Sequence, residues 1–283
     1  MQTIPVYYIN LDRSPDRRAF MEDQFEKLGL SATRIAAVDG FALNAAQMAG
    51  AMLPPGELGC FMSHRLAWKA FLDTDKPHAI ILEDDVRLGE YLSMLASSSR
   101  WIPDDADIVR LETLGRRIGI STAMRAIPGG NISRLLTRDV GTAGYLLNRR
   151  EAARLLSEEP MIKAVDLIVF STKAVTERVI YQAVPALVEQ LQRVSGTFES
   201  TLLEERRRIR KARIRPALLK RIPREIVRIW RKRGIPLVVY LTNMGRVRFA
   251  EIEFRQPLNP QRPPESALEP LRHRPSSADE DPR

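Results

Sequence analysis

The amino-acid sequence predicts an α/β fold, and three observations support this prediction. Apolar, β-branched segments alternate with amphipathic helical segments up to about residue 190, the pattern of strands and helices packed in layers. The first predicted strand leads directly into a helix start, and a later apolar strand ends in three consecutive carboxylates. With 283 residues, 44% of them hydrophobic, the chain is long enough for one large domain or two small ones.

The first βα unit carries the clearest local signals. Residues 4–11 form a β-branched and aromatic run that predicts a strand. Ser14 and Pro15 suit the N-cap and the first position of a helix, and Gly29 suits its end. The other predicted strands are 34–38, 79–82, 107–112, 132–136 and 143–147, and the other predicted helices are 57–73, 91–95 and 149–156. The Gly-punctuated residues 114–131 are predicted to form a loop.

The chain divides into three predicted parts. These are an α/β domain over residues 1–203, a basic amphipathic segment over 204–254 that is expected to be helical, and a Pro-rich tail over 255–283 that is expected to be disordered. The net charge of +9 is local, because residues 206–233 hold fourteen of the 44 Lys and Arg residues and one of the 35 acids. The charge of this segment therefore needs an explanation of its own.

Cysteine content and hydropathy bear on the compartment. Cys60 is the single cysteine, which excludes an intramolecular disulfide and fits a reducing compartment. The first ten residues lack the basic start of a secretory signal, and the longest apolar run, residues 235–241, is too short to span a bilayer. We therefore expect a cytoplasmic protein.

The most informative motif is the run Glu83-Asp84-Asp85 at the end of an apolar strand. Ligand sites in open α/β sheets lie beyond the carboxyl ends of the strands. Three adjacent acids repel one another unless a cation lies between them, and hard divalent cations commonly bridge carboxylates to substrate phosphates. The motif therefore indicates a metal–diphosphate site. The alternative is an acidic surface turn or the first turn of a helix.

Further motifs carry residues suited to ligand binding, each with a structural alternative. The helix start after Asn10 carries Arg13 and Arg17, which could bind an anion or form an exposed, mixed-charge turn. His64 lies within a helix, where a hydrogen-bonded structural role is the more usual one, and Cys60 is assigned to the core. Gly144 favours either close approach of a substrate or a tight strand entry. Asp166, among apolar residues, is partnered, a helix cap or a proton-transfer group.

Taken together and in order, these motifs resemble glycosyltransferase family 25, which includes lipopolysaccharide and lipooligosaccharide core galactosyl- and glucosyltransferases. The resemblance covers roughly residues 3–190 and consists of the segments NLDRSPDR, GELGCFMSH, ILEDDV, GTAGYLL and VDL. It implies a GT-A-like, Rossmann-like nucleotide-sugar-binding domain, a UDP-galactose or UDP-glucose donor, and transfer with inversion to a lipopolysaccharide or oligosaccharide hydroxyl. The basic segment and the tail lie outside it.

The resemblance also suggests a role for each candidate residue. Glu83 and Asp85 are expected to hold a divalent metal, Mn²⁺ or Mg²⁺, that offsets charge on the leaving nucleoside diphosphate. An inverting transfer needs a general base at the acceptor hydroxyl, for which Asp166 is the first choice and Glu112 the second. The residues expected to bind the nucleotide sugar are Asn10, Arg13, Arg17, Asp39, His64, Asp84 and Gly144.

Two other classes of function stay open at this point. The basic segment could make the protein a nucleic-acid binder without transferase activity, and the acidic triplet could serve a metal-dependent nucleotide-sugar hydrolase or a nucleotidyltransferase. Apolar residues interleave the basic ones in 206–233, a mixture that favours an anionic membrane surface over nucleic acid. We therefore expect no nucleic-acid partner, and a peripheral location at the inner face of the cytoplasmic membrane.

Overall fold

The computed structural model describes residues 3–157, 163–191 and 241–255 and confirms the α/β class. Its helices are α1 Pro15–Leu28, α2 Pro55–Leu72, α3 Leu92–Ala96, α4 Arg149–Ser157, α5 Val165–Phe170 and α6 Thr172–Glu177, with a 3₁₀ turn at Gly40–Ala42. Its strands are β1 Val6–Asn10, β2 Thr33–Ala36, β3 His78–Glu83, β4 Val86–Leu88, β5 Ile108–Arg110, β6 Glu112–Thr113, β7 Arg117–Ile127, β8 Gly130–Leu135, β9 Gly144–Asn148, β10 Ile180–Val184, β11 Val188–Gln190 and β12 Val247–Glu251.

Within the described ranges, nine strands form one mixed sheet in the order β12-β7-β8-β10-β5-β9-β3-β1-β2. Strands β4, β11 and β6 form a second, smaller sheet. Strand β1 is parallel to both β2 and β3, and Ile9 is paired with Glu83. The carboxyl ends of β1 and β3 therefore open at the same edge, where the helix start after β1 and the acidic triplet after β3 meet.

Helices cover both faces of the large sheet. Alternate residues of a strand point to opposite faces, so Tyr7 and Ile9 pack in one core cluster while Val6 and Tyr8 pack in the other. The first cluster is closed by α2, α4, α5 and α6, and the second by α1 and α3. Burying a large apolar side chain such as Trp68 stabilises the fold by roughly 1.5–3 kcal/mol, so these layers hold the strand ends in place.

The N-terminus of α1 lacks the side-chain capping hydrogen bond that its N-cap residue, Ser14, predicts. Ser14 is the N-cap and Pro15 follows it, as expected, but the Ser14 side chain makes no capping hydrogen bond. Instead the Ser14 carbonyl accepts a hydrogen bond from Asn10 Nδ2 at 3.1 Å. This bond ties the beginning of the helix to the end of β1 and orients the loop between them.

The prediction of a loop over residues 114–131 is wrong. Eleven of these residues form β7, which is antiparallel to β8 and to β12. Ile118 and Ile120 of β7 are buried, but residues 122–126 are exposed, so no alternating pattern marks the strand in the sequence. The strand exists because β8 and β12 supply backbone hydrogen-bond partners, and β12 lies more than 100 residues further along the chain.

The structure does not describe most of the basic segment, including all of 206–233, or the tail beyond residue 255. The predictions of a helical segment and a disordered tail fall on these residues and lie outside the described part of the chain. Residues 247–251 are described and form the edge strand β12 of the large sheet. The three-part division of the chain stays a prediction. Among the residues that the structure describes, no helix combines the length and the apolar character needed to cross a membrane.

Candidate functional site

A cavity of about 670 Å³ opens at the carboxyl ends of β1 and β3. Eight candidate residues line it, although they are spread over more than 150 positions of the chain: Arg13, Arg17, Asp39, His64, Glu83, Asp84, Asp85 and Asp166. The other three candidates, Asn10, Glu112 and Gly144, do not line it and are located below. Charged and polar groups of both signs thus converge on one concave surface, which is the general form of a ligand site.

Asp84, the middle acid of the triplet, is held by two donors from the first βα unit. Asn10 Nδ2 donates to Asp84 Oδ2 at 2.7 Å, and Arg17 Nη1 lies 3.1 Å from Asp84 Oδ1. Burial raises the pKa of Asp84, and the nearby charge of Arg17 and the bond from Asn10 partly oppose that rise. Asn10 therefore acts behind the cavity wall, where it links Asp84 to the start of α1.

Glu83 accepts hydrogen bonds from two sides. Thr142 Oγ1 donates to Glu83 Oε1 at 2.9 Å, and His64 Nε2 lies 3.4 Å from the same oxygen. Burial acts to raise the pKa of Glu83, but the contacts with His64 and Thr142 and the charge of Arg17 outweigh it and lower the pKa overall. Glu83 is therefore an ionised carboxylate at neutral pH.

His64 is oriented by a buried chain of hydrogen bonds. Trp68 Nε1 donates to the Tyr145 hydroxyl at 2.8 Å, and that hydroxyl lies 3.0 Å from His64 Nδ1. Burial raises the pKa of Tyr145 well above its usual value, so the hydroxyl keeps its proton and can donate to Nδ1. The network then assigns the imidazole proton to Nε2, which faces Glu83. His64 is thus both hydrogen-bonded in the core and open to the cavity.

Two sets of side chains could hold a metal ion. Glu83 and Asp85 both line the cavity and offer carboxylate oxygens, the ligands that hard divalent cations take. The second set consists of Cys60, His64 and Glu83, whose ligand atoms all lie within 4.8 Å of one another. Cys60 packs against the core as predicted, but it also lines the cavity, which the sequence did not indicate.

The basic side of the cavity is formed by arginines. Arg13 Nε lies 2.8 Å from Asp39 Oδ2, and Asp39 Oδ1 accepts from the backbone of Phe41 at 3.0 Å. This pairing orders the 3₁₀ turn on the rim. Arg116, in the short connection between β6 and β7, also lines the cavity. Anionic ligands with several oxygens are bound well by converging guanidinium groups.

The two candidate general bases lie in different surroundings. Asp166, in the first turn of α5, lines the cavity. Glu112 is fully buried and does not line the cavity. Its carboxylate lies directly beneath Gly141, where an added Cβ would come within 2.6 Å of Glu112 Oε1. Of the two, Asp166 alone is placed to meet a substrate in this structure.

Glu112 belongs to a buried cluster in which two acids, Glu112 and Asp139, share one cation, Arg110. Arg110 Nη2 lies 3.3 Å from Glu112 Oε1, and Arg110 Nη1 lies 2.6 Å from Asp139 Oδ2. Burial raises the pKa of Glu112 to about 8, with repulsion from Glu83 and Asp139 adding to the rise and Arg110 opposing it. A single guanidinium offsets one carboxylate, so Glu112 is mostly protonated at neutral pH.

Gly144 is in contact with the second sheet and not with the cavity. A Cβ at this position would come within 2.7 Å of two Val188 methyl groups, so glycine permits β9 and β11 to approach each other closely. Sequence reasoning also missed Thr142, Tyr145 and Arg116. Thr142 and Tyr145 belong to the same GTAGY motif as Gly144; Thr142 lines the cavity, whereas Tyr145 is buried and acts on the cavity through His64.

Comparison with known proteins gives one family. The model of glycosyltransferase family 25 (LPS biosynthesis protein) matches residues 3–169 of this chain. A solved structure, the inositol-1-phosphate CTP transferase from T. maritima, aligns with a TM-score of 0.36 and 12% identity over 73% of this chain and 77% of that chain. This last similarity is too weak to carry an inference.

Curated relatives agree with the family match. A "Glycosyltransferase 25 family member" of Drosophila pseudoobscura pseudoobscura is 29% identical over 56% of this chain and 28% of its own length. The "Lacto-N-neotetraose biosynthesis glycosyltransferase LgtB" of Neisseria meningitidis serogroup A is 32% identical over 65% of this chain and 73% of that protein. "Procollagen galactosyltransferase 1" of Danio rerio is 30% identical over 56% of this chain and 29% of that protein. The match thus spans less than a third of the two animal relatives.

Proposed function

The chain belongs to glycosyltransferase family 25, and we propose that it transfers a hexose, galactose or glucose, from a UDP-sugar to a hydroxyl of a lipopolysaccharide or oligosaccharide acceptor, with inversion. The observation that carries the proposal is the arrangement of one cavity. The acidic triplet, arginines and a separate carboxylate, Asp166, face the same space. Such a space can hold a nucleoside diphosphate on one side and an acceptor hydroxyl on the other.

The arginine side of the cavity is the proposed site for the donor's diphosphate. Arg17 is about one-fifth exposed and already fixed by Asp84, so little side-chain freedom is lost when it meets a phosphate. Arg13 is more exposed and is held by Asp39. Asn10 contributes indirectly because its bond to Asp84 orients the carboxylate that positions Arg17.

The acidic side fits a divalent cation, for which we propose Mn²⁺ or Mg²⁺. Both oxygens of Asp84 are engaged by Arg17 and Asn10, and one oxygen of Glu83 accepts from Thr142. We propose that Glu83 and Asp85, which both line the cavity, supply the one or two carboxylate ligands that such a cation takes beside substrate phosphates. A bound cation would offset the charge that develops on the leaving diphosphate.

Asp166 is the proposed general base. Its position in the first turn of a short helix places it on the cavity wall. Deprotonating the acceptor hydroxyl there would let its oxygen attack the anomeric carbon from the face opposite the departing diphosphate, which gives inversion. For Glu112 we propose a structural role. Its mostly protonated side chain packs against the backbone of Gly141, which lines the cavity.

The acceptor proposal rests on the family and on the charge of the chain. LgtB is named for lacto-N-neotetraose biosynthesis, and we extend an oligosaccharide acceptor of that kind to this chain. Lipid-linked acceptors lie at the inner leaflet of the cytoplasmic membrane, where anionic lipids attract basic segments by about 1 kcal/mol for each Lys or Arg near the surface. We propose that residues 206–233 give such peripheral attachment.

A donor screen tests the proposed function. UDP-galactose, UDP-glucose and other nucleotide sugars are added to the full chain, with and without Mn²⁺, and thermal stability is measured. A donor at 100 times its dissociation constant adds about 2.7 kcal/mol to the free energy of unfolding. The stabilising donor is then incubated with an oligosaccharide acceptor. Release of sugar to water at the same rate with and without acceptor would instead indicate a hydrolase.

A further inference from the structure

The Cys60, His64 and Glu83 side chains of the cavity floor form an unusual set of potential metal ligands. Cys60 and His64 lie four residues apart on α2, so they project from the same face of the helix. Glu83 ends β3, and its Oε1 lies 3.4 Å from His64 Nε2. The three ligand atoms lie within 4.8 Å of one another. Ligands of a tetrahedral zinc ion lie roughly 3.5 Å apart, so small side-chain rotations would bring all three to one ion.

The chemistry of this set differs from that of the proposed Mn²⁺ or Mg²⁺ ligands. Thiolate sulfur and imidazole nitrogen favour borderline-soft ions such as Zn²⁺, whereas hard ions favour all-oxygen sites. Three protein ligands with the fourth position facing a cavity leave that position open to water or to an anionic ligand. The set therefore suits a soft ion at a position that a ligand can reach.

The surroundings of His64 also suit a ligand role. A metal-binding histidine usually has its second ring nitrogen fixed by a hydrogen-bond partner. Here Nδ1 lies 3.0 Å from the Tyr145 hydroxyl, which Trp68 holds in turn. When the imidazole proton moves to Nδ1, that nitrogen donates to the Tyr145 oxygen, which can accept from His64 and Trp68 together, and Nε2 is left with a lone pair toward the cavity.

We propose that Cys60, His64 and Glu83 form a Zn²⁺-binding site in the floor of the cavity, separate in chemistry from the all-oxygen cation site. Binding converts the Cys60 thiol to a thiolate and releases its proton to solvent. The binding proposal does not depend on the proposed function. Because Zn²⁺ would engage Glu83, we also expect it to inhibit sugar transfer, and that expectation rests on the proposed function.

Cobalt spectroscopy on the full chain tests the site. Cys60 is the single cysteine of the chain, so a thiolate-to-cobalt charge-transfer band can arise from this residue alone. Titrating chelator-treated protein with Co²⁺ should produce that band at one ion per chain, and Zn²⁺ should abolish it. Cys60→Ser should lose the band, whereas the control Asp85→Asn should keep it. Tyr145→Phe should weaken Zn²⁺ binding by about 10- to 100-fold.

A second measurement uses the wild-type chain and does not depend on the folding of any variant. Cys60 is partly exposed, so a thiol-alkylating reagent should modify it, and Zn²⁺ should protect it while Mg²⁺ should not. Absence of the cobalt band, equal Zn²⁺ affinity of wild type and Cys60→Ser, or unchanged alkylation in the presence of Zn²⁺ would each overturn the proposal. These outcomes are independent of whether the chain transfers sugar.

Discussion

Two glutamates of this protein, Glu83 in the cavity and Glu112 in a buried cluster, have pKa values shifted in opposite directions. In the cavity, Glu83 accepts from Thr142, lies beside His64, and has a lowered pKa. In the buried cluster, Glu112 shares Arg110 with Asp139, and its pKa is raised to about 8. The two glutamates lie close enough for the charge of Glu83 to contribute to the rise at Glu112.

The difference shows that nearby hydrogen-bond donors and cations, more than burial alone, determine whether each of these glutamates is ionised. Burial acts to raise the pKa of both glutamates. Glu83 has a hydroxyl, an imidazole and the charge of Arg17 nearby, and these outweigh the cost of burial. At Glu112 the guanidinium charge is already matched by Asp139 at 2.6 Å, so a second buried negative charge has no equal partner. One glutamate is thus kept ionised, and the other is kept mostly protonated.

The largest expected effect is at the proposed cation ligands. Asp85→Asn should lower transfer by about 10³-fold or more, because stabilisation of several kcal/mol by the cation is lost at the leaving diphosphate. Transfer rates are measured at saturating Mn²⁺, with circular dichroism to verify folding. Wild-type turnover in excess EDTA, or a fully active Asp85→Asn, would contradict the metal role.

The next effect concerns the general base. Asp166→Asn should reduce kcat by about 10²–10⁴-fold, the usual contribution of general base catalysis, while donor affinity stays near that of wild type. Single-turnover transfer and donor titration separate the two quantities. Weaker donor binding at unchanged kcat would make Asp166 a donor-site residue, and an equal loss in Glu112→Gln would move the role of base to Glu112.

A smaller effect is expected at the arginine side. Arg17→Gln should raise the KM for the donor by roughly 10- to 100-fold, since a hydrogen bond to a charged group contributes about 1.5–3 kcal/mol. The matched control is Lys27→Gln on the same helix, because Lys27 is well exposed and pairs with Asp23, away from the cavity lining. If both variants show the same KM, the proposed diphosphate contact is absent.

The last effect is on stability and not on transfer, and it follows from the contrast between Glu112 and Glu83. The folded state of the wild type keeps a proton on Glu112 that the unfolded chain loses above its usual pKa of 4.5, so this contribution to stability falls as pH rises from about 4.5 to about 8. Glu112→Gln should therefore gain stability relative to wild type over that range, by at most about 1.4 kcal/mol per pH unit.

Glu83→Gln should show the opposite trend. The lowered pKa of Glu83 stabilises the fold above the unfolded value of 4.5, and this stabilisation is lost as pH falls through the folded pKa. The variant should thus be less stable than wild type at neutral pH and approach it in acid. Urea unfolding of both variants from well below pH 4.5 up to pH 8 covers both windows, with the Glu83 slope expected below pH 4.5 and the Glu112 slope above it. Parallel slopes for the two variants would show that the clusters do not differ in protonation.

The amount that could be predicted from sequence differs between the two sides of the molecule. On the cavity side, strand β1, helix α1 and the acidic end of β3 were all identified, because each has a local signal: an apolar run, a Ser-Pro start, a carboxylate triplet. Strand β7 was missed, because its partners β8 and β12 are separate segments of the chain and five of its residues point into solvent.

The sequence by itself determined the order of strands and helices and which acids and arginines reach one sheet edge, since periodicity and helix ends are local properties and parallel strands bring their carboxyl ends together. Only the tertiary structure decided what each of these groups does there. Whether a glutamate is ionised, or whether Cys60 faces the core or the cavity, depends on donors and neighbours such as Thr142 and Arg110 that are distant in sequence. Those contacts form only when the sheet assembles, and the energies that set protonation act over a few ångströms.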